Sequence, residues 1–136
     1  MNRGLYVDTG CWVALFDLAD PYHARAQALF DSNREWVRFL NEHVLSETVT
    51  LLRSRVGPES ARNFGRDVLE GKVGHLLKCD RSHILSALEL IVKYHDQRIS
   101  FADATSVLVV RAYDIPKVAS FDRHFRIILT EREIVP

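Results

Sequence analysis

Four acidic residues that are far apart in the chain lie where the ends of strands and helices are expected to meet. They are Asp8, Glu47, Asp103 and Asp122. The first and last follow short strand-like segments, the second lies within a helix, and the third lies in the first turn of an apolar helix. In an open parallel sheet, the carboxyl ends of the strands and the starts of the following helices share one edge. We therefore expect the four carboxylates to converge, and converging acids without a matching base favour a bound cation.

Each acid also has an ordinary structural explanation. Asp8 and Asp122 could cap the helices that follow them, and Asp103 could form a capping box with Ser100. Glu47 could be solvated or could pair with a nearby arginine, because most helical glutamates are exposed. One such acid alone indicates little, whereas four at elements that share a sheet edge predict a site.

Strand and helix patterns alternate along the chain. The predicted strands are 4–8, 36–40, 75–79 and 117–120, and Ile127–Leu129 with Ile134–Val135 are predicted to add one short edge strand between them. The predicted helices are 11–18, 23–30, 43–56, 58–70, a helix from Asp80 through Val92, and 101–113. This alternation predicts a three-layer α/β/α sandwich with a central, mostly parallel sheet, formed by a single domain of residues 1–136.

The composition is that of an ordinary globular domain. Of its 136 residues, 47% are apolar and 26% are charged, and 18 basic residues balance 18 acidic ones, so net charge predicts no partner. The chain has no apolar run of about 18 residues and no leader-like start, which predicts a cytoplasmic protein. Cys11 and Cys79 lack CxxC spacing and are expected to be reduced core thiols.

Several segments together resemble the acidic motifs of the PIN-domain ribonucleases, particularly the VapC-like toxins. They are Val7-Asp-Thr, Val44-Leu-Ser-Glu-Thr-Val-Thr-Leu-Leu52, Ile99-Ser-Phe-Ala-Asp-Ala104 and Ala119-Ser-Phe-Asp-Arg-His-Phe125. The segment Asp20-Pro-Tyr-His-Ala-Arg-Ala26 is similar to the loop and helix that follow the first motif in that family. The resemblance covers nearly the whole chain. One departure is Gly10, where many members carry a serine.

The resemblance implies a small α/β/α sandwich with a carboxylate-lined pocket that holds Mg²⁺ or Mn²⁺ and cleaves RNA to 3′-hydroxyl and 5′-phosphate ends. It also implies a homodimer and a small antitoxin protein whose C-terminal tail blocks the pocket. The acidic set would be Asp8, Glu47, Asp103 and Asp122, with Thr9 and Ser120 as helpers.

The chemistry of the residues fits this expectation. Phosphodiester hydrolysis needs an activated water, neutralised phosphoryl oxygens and help for the leaving alkoxide, and Mg²⁺ with oxygen ligands supplies all three. We expect Asp8 and Asp103 to bind the metal directly. Glu47 would be a ligand or a base acting through water, and Asp122 a further ligand or an orienter of water.

Basic residues must hold an RNA substrate, because acids repel phosphates. The candidates are Arg123, His124, Arg53 and Arg55, while Tyr22, Trp36 and Phe64 could stack on bases but are more often packing residues. His43 and Glu47 are four apart, a spacing that zinc sites use, but no HExxH motif or third ligand accompanies them. Surface or core positions are the expectation for all six histidines.

Other functions remain open at this stage. A haloacid-dehalogenase-like phosphatase would need a second aspartate at position 10, and a receiver domain would need a phosphoacceptor aspartate after a middle strand. A solitary PIN-domain RNA-processing nuclease and a non-catalytic module that binds RNA or protein are also compatible with the sequence.

Overall fold

The computed structural model describes residues 3–136, in which strands and helices alternate. The strands are β1 (Gly4–Val7), β2 (Val37–Asn41), β3 (His75–Leu77), β4 (Lys117–Ala119) and β5 (Glu133–Val135). The helices are α1 (Thr9–Phe16), α2 (His23–Ser32), α3 (Glu42–Arg55), α4 (Pro58–Leu69), α5 (Arg81–Lys93), α6 (Phe101–Ala112) and α7 (His124–Ile128). None of these helices has the length and hydropathy that a membrane span requires.

The strands form one central sheet in the order β3-β2-β1-β4-β5, and every neighbouring pair is parallel. Helices flank the sheet, which confirms the predicted α/β/α sandwich. The middle strand β1 is fully buried, as its apolar run Leu5–Val7 requires. Because the chain passes from β1 to β2 on one side and later returns to β4 on the other, the sheet has a switch point where β1 and β4 end. Such a point forms a crevice in this class of fold.

One predicted element is wrong. Ile127–Leu129 was expected to contribute to an edge strand, but this segment lies at the end of the short helix α7. Phe125 and Ile128 are both buried, and their spacing of three places them on the same face of that helix. Only Ile134–Val135 lies in the edge strand, within β5.

The aromatic core fixes the first helices against one another. Trp12 of α1 contacts Phe30 of α2 and Phe64 of α4, with ring centroids 5.7 Å and 5.4 Å apart. Phe64 is therefore a buried packing residue and is not available to stack on a base. Trp36 is half-buried, and the Lys117 ammonium lies 3.9 Å from its ring centroid.

Two buried side-chain hydrogen bonds fasten α6 to the sheet. The hydroxyls of Tyr6 and Ser106 lie 2.7 Å apart, and Asn41 Nδ2 donates to Thr105 Oγ1 at 3.1 Å. Asn41 also caps α3, because its Oδ1 accepts the backbone N–H of Val44 at 2.9 Å. One amide therefore links the end of β2, the start of α3 and the body of α6. This link sets the positions of α3 and α6 relative to the carboxyl edge of the sheet.

Candidate functional site

All four predicted acids line one cavity of about 380 Å³ at the switch point of the sheet. Asp8 follows β1, Glu47 lies on α3, Asp103 lies in the first turn of α6 and Asp122 follows β4. A fifth acid, Asp20 in the loop before α2, also lines the cavity. The remaining lining residues are Thr9, Gly10, Tyr22, Ser100 and Phe121.

Asp8 is held by both of its carboxylate oxygens. Its Oδ1 accepts the backbone N–H of Cys11 at 3.1 Å, so it caps α1, and its Oδ2 accepts the hydroxyl of Ser120 at 2.6 Å. The Ser120 hydroxyl in turn accepts the backbone N–H of Asp122 at 2.9 Å. This chain of bonds joins the ends of β1 and β4, so Ser120 supports two of the acids at once.

Glu47 is held by Thr9. The Thr9 hydroxyl donates to Glu47 Oε1 at 2.8 Å. The nearby arginines take other positions: Arg55 lies 3.4 Å from Asp20 Oδ2, and Arg53 is exposed in the last turn of α3. Glu47 therefore points into the cavity instead of forming a surface ion pair.

Asp103 both caps its helix and lines the cavity. Ser100 Oγ accepts the backbone N–H of Asp103 at 3.0 Å, and Asp103 Oδ2 accepts the backbone N–H of Ser100 at 3.2 Å. The expected capping box is therefore present. Oδ1 of Asp103 has no hydrogen-bond partner among residues 3–136 and is available to a ligand in the cavity.

The cavity disfavours the charged form of its acids. Burial raises the pKa of Asp8 to about 7, against the opposing hydrogen bonds from Ser120 and Cys11, and the nearby charges of Asp103 and Asp122 add to the rise. The pKa of Asp103 is also raised, first by burial and then by the charges of Asp122 and Glu47. In the described part of the chain, no lysine, arginine or histidine lines this cavity, and the basic groups nearest its acids are Arg55, 3.4 Å from Asp20, and His124, whose Nε2 lies 3.6 Å from Asp122 Oδ1.

A hard divalent cation fits this donor set. The cavity offers carboxylate and hydroxyl oxygens, and a cation would remove the cost of ionising crowded acids. Between residues 3 and 136, no three of the cavity's carboxylate groups bring an oxygen within 4.8 Å of one another. That spacing suits Mg²⁺, which keeps several of its own waters and uses only one or two carboxylates directly.

Three arginines line a smaller cleft beside the acidic cavity. They are Arg25, Arg123 and Arg126. The two spaces share Tyr22 and Phe121, whose rings stack with centroids 4.7 Å apart. The guanidinium of Arg25 lies 5.4 Å from the Tyr22 centroid and 5.2 Å from the Phe121 centroid.

Of the predicted RNA contacts, only Arg123 lines this cleft. His124 lies beside the acids, where its backbone N–H donates to Asp122 Oδ1 at 2.9 Å and its Nδ1 lies 3.4 Å from Gln97. Arg25, Arg126 and Asp20 were missed by the sequence analysis. The similarity of the segment Asp20–Ala26 to family members was the only signal that contained two of them.

The sheet order and the acidic crevice at its switch point define the class of protein. The PIN domain family model matches residues 5–128, and the chain belongs to this family. The phosphatase and receiver alternatives are therefore wrong.

Among its relatives, the chain is 32% identical over 122 residues to Ribonuclease VapC26 of Mycobacterium tuberculosis, covering 89% of each protein. It is 35% identical over 123 residues to the 23S rRNA-specific endonuclease VapC20 of the same species, covering 89% of this chain and 91% of the relative. The crystal structure of VapC20, described as a sarcin-ricin loop cleaving toxin, matches with a TM-score of 0.84 at 31% identity. That match covers 91% of this chain and 94% of VapC20.

Proposed function

We propose that this protein is a metal-dependent ribonuclease that hydrolyses phosphodiester bonds in RNA. The observation that carries the proposal is the gathering of Asp8, Glu47, Asp103 and Asp122 in one cavity that no basic residue of the described range lines. The ribonuclease names of relatives at 32% and 35% identity support the same reaction.

Asp8 and Asp103 would hold Mg²⁺ or Mn²⁺, with Glu47 and Asp122 as further ligands or as groups that orient water. When bound, such an ion lowers the pKa of a coordinated water and neutralises charge on the phosphoryl oxygens. Ser120 keeps Asp8 in place through its 2.6 Å hydrogen bond, and Thr9 does the same for Glu47 at 2.8 Å.

If Glu47 is not itself a metal ligand, it would act as the base. Thr9 occupies its Oε1, so Oε2 would take the proton from the water that attacks phosphorus. The bond between phosphorus and the leaving oxygen breaks, and that oxygen takes a proton from solvent. The products would be a 3′-hydroxyl and a 5′-phosphate.

The arginine cleft would hold the RNA strand next to the bond that is cut. Arg25, Arg123 and Arg126 offer positive charge that the acidic cavity itself lacks, and Tyr22 is 45% exposed beside them. Phosphates bind such guanidinium groups, and bases stack on exposed aromatic rings. His124 would add a contact near Asp122, whereas Arg55 is paired with Asp20.

The biological role that we propose is that of a cytoplasmic toxin, because VapC20 is described as a toxin. Its partners would be an RNA substrate and a small antitoxin, and the active form would be a homodimer. Co-expression with the product of a neighbouring short reading frame, followed by co-purification, tests the partner. Light scattering of the protein alone tests the dimer.

The central experiment measures cleavage of cellular RNA with and without Mg²⁺ or Mn²⁺. We expect Asp8→Asn and Asp103→Asn to lower the rate by at least about 100-fold while circular dichroism stays unchanged. Asp96→Asn is the matched control, because Asp96 is exposed and lies outside the cavity. Ligation of adaptors to the products identifies their ends.

Thermal unfolding provides a second measurement. Mg²⁺ at about 100 times its Kd should stabilise the wild type by about 2.7 kcal/mol. Asp103→Asn should show a smaller effect. RNA binding without metal-dependent cleavage would instead identify a non-catalytic module, and cleavage that survives both substitutions would refute the assigned site.

A further inference from the structure

A second group of ligand-type side chains lies outside the acidic cavity. Glu42 and His43 begin α3, and Cys79 follows β3. A carboxylate oxygen of Glu42, a ring nitrogen of His43 and the sulfur of Cys79 all lie within 4.8 Å of one another. The backbone N–H of Cys79 donates to Glu42 Oε1 at 2.9 Å, which fixes this carboxylate beside the thiol.

His43 contributes an independent observation. Its Nε2 is buried and has no hydrogen-bond partner in the described range. The ring is held edge-on against Phe101, with centroids 5.1 Å apart. His23 and His83, by contrast, each have a ring nitrogen in contact with a hydrogen-bonding atom, at 2.8 Å and 3.1 Å. Buried polar atoms without a partner are rare, and a bound cation would supply the contact that this nitrogen lacks.

The three donors differ chemically from those of the acidic cavity. A thiolate, an imidazole and a carboxylate form a set that selects Zn²⁺ over Mg²⁺, because zinc accepts sulfur and nitrogen ligands. We propose that Glu42, His43 and Cys79 form a second metal site, which binds Zn²⁺ with a water in the fourth position. The site is independent of the proposed nuclease reaction.

Binding requires the Cys79 thiol to become a thiolate. Burial and the nearby charges of Glu42 and Asp80 raise the pKa of this thiol to about 11, so without a cation the sulfur stays protonated. When Zn²⁺ binds, the proton leaves the sulfur for solvent and the sulfur–zinc bond takes its place. The dication then compensates the charges of both the thiolate and Glu42.

Titration with Co²⁺ tests the site, because cobalt replaces zinc and its bond to a thiolate gives a charge-transfer absorption in the near ultraviolet. The whole protein is first stripped with a chelator and kept reduced. We expect one equivalent of Co²⁺ to produce this absorption, and Zn²⁺ to abolish it by displacement. Cobalt bound by carboxylates alone gives no such band, so the acidic cavity does not contribute to the signal.

Matched variants locate the ligands. Cys79→Ser should remove the band, whereas Cys11→Ser changes the other buried cysteine and should retain it. His43→Asn should weaken Co²⁺ binding by at least about tenfold, and His95→Asn, at an exposed histidine, should leave it unchanged. Asp103→Asn should also keep the band, which separates this site from the nuclease proposal.

X-ray absorption of the wild type with one equivalent of Zn²⁺ needs no variant. We expect one sulfur at about 2.3 Å together with nitrogen and oxygen ligands at about 2.0–2.1 Å. A zinc spectrum without sulfur, the absence of the cobalt band, or a band that survives Cys79→Ser would overturn the proposal.

Discussion

Asp8 shows how one side chain combines a structural and a chemical role. Its two oxygens cap α1 and bind Ser120, so the carboxylate cannot turn away from the cavity. The same enclosure removes water from the group and disfavours its charge. Positioning the acid therefore costs stability in the absence of a cation.

This cost gives a pH-dependent prediction. The folded-state pKa of Asp8, about 7, lies above the ordinary value of 3.8, so the folded protein keeps a proton that the unfolded chain releases. The resulting stabilisation is complete below about pH 3.8 and is lost as the pH rises through about 7. Asp8→Asn removes this pH dependence, because asparagine has no proton to lose as the pH rises. Relative to the wild type, the variant should gain on the order of 2 kcal/mol between about pH 5 and pH 8.

Urea unfolding in the presence of a chelator measures the difference. Asp96→Asn serves as the control. Because Asp96 is exposed, its substitution should change the free energy of unfolding by no more than about 0.5 kcal/mol at any pH in this range. If the free energies of unfolding of the wild type and of Asp8→Asn changed equally with pH, the buried Asp8 carboxylate would not destabilise the fold as proposed.

The residues of the site differed in how visible they were in the sequence. Asp8 and Asp122 follow strands and Asp103 lies in the first turn of a helix, and in a parallel sheet these positions place them near one another. Glu47 lies within α3 and was singled out through the motif Val44–Leu52. Arg25 and Arg126 lie on the exposed faces of α2 and α7, and nothing in their spacing shows that these helices border the same cleft. The Glu42, His43 and Cys79 group was hidden for the same reason, since nothing in the spacing shows that the loop after β3 contacts the start of α3.

At the scale of elements, α6 depends on a buried polar link to the sheet. Asn41 is fully buried and bonds both to the start of α3 and to Thr105 of α6. Glu47 and Asp103 lie on these two helices. The link therefore sets the distance between two of the proposed catalytic acids.

Removing this link should cost more than removing a simple cap. Asn41→Ala loses two buried hydrogen bonds and should destabilise the protein by about 2–3 kcal/mol. Ser100→Ala loses one cap at the start of α6 and should cost about 1 kcal/mol. Urea unfolding compares the two variants, and equal losses would show that the contact with Thr105 contributes nothing.

Two glycines of the α3–α4 region should respond to alanine in opposite directions. Gly57 precedes α4 with φ of 148°, a conformation that side chains disfavour, so Gly57→Ala should cost about 1–3 kcal/mol. Gly65 lies within α4, and an added Cβ would lie 3.6 Å from Val49, an ordinary contact. Gly65→Ala should therefore stabilise the protein by about 0.5–1 kcal/mol. Thermal unfolding measures both, and shifts of the same sign would be inconsistent with this reasoning.

Most elements were predictable because their apolar periods and end signals agree. Asp80 caps α5 as expected, and Pro58 begins α4. Ile127–Leu129 was misassigned because a short apolar run is compatible with either a strand or a buried helical turn. The N-cap of this helix is Arg123, which makes no side-chain capping bond, so the usual signal of a helix start is missing.

At the scale of the whole molecule, opposite charges are separated although the net charge is zero. The acidic cavity and the arginine cleft adjoin through Tyr22 and Phe121. A polyanion approaching the cavity therefore meets the arginines beside it. Local fields of this kind guide a charged ligand even when the overall charge is balanced.

Salt dependence tests this separation. In an inactive Asp103→Asn background, the combined change Arg25→Gln and Arg123→Gln should lower the slope of log Kd against log salt for single-stranded RNA by about 1.4, or about 0.7 for each contact. Arg62→Gln changes an exposed arginine of α4 and should leave the slope unaltered. Fluorescence anisotropy measures the affinities. If Arg62→Gln lowered the salt slope as much as the double substitution did, RNA would not bind specifically along the arginine cleft.

The hydrogen bond between Ser120 and Asp8 joins residues 112 positions apart. A ribosome makes the chain from its N-terminus, so Asp8 emerges long before β4 and the serine that holds it. The cavity cannot be assembled before β4, Ser120 and Asp122 have been made. A nuclease whose site depends on such a distant contact gains its activity only after both segments have been translated.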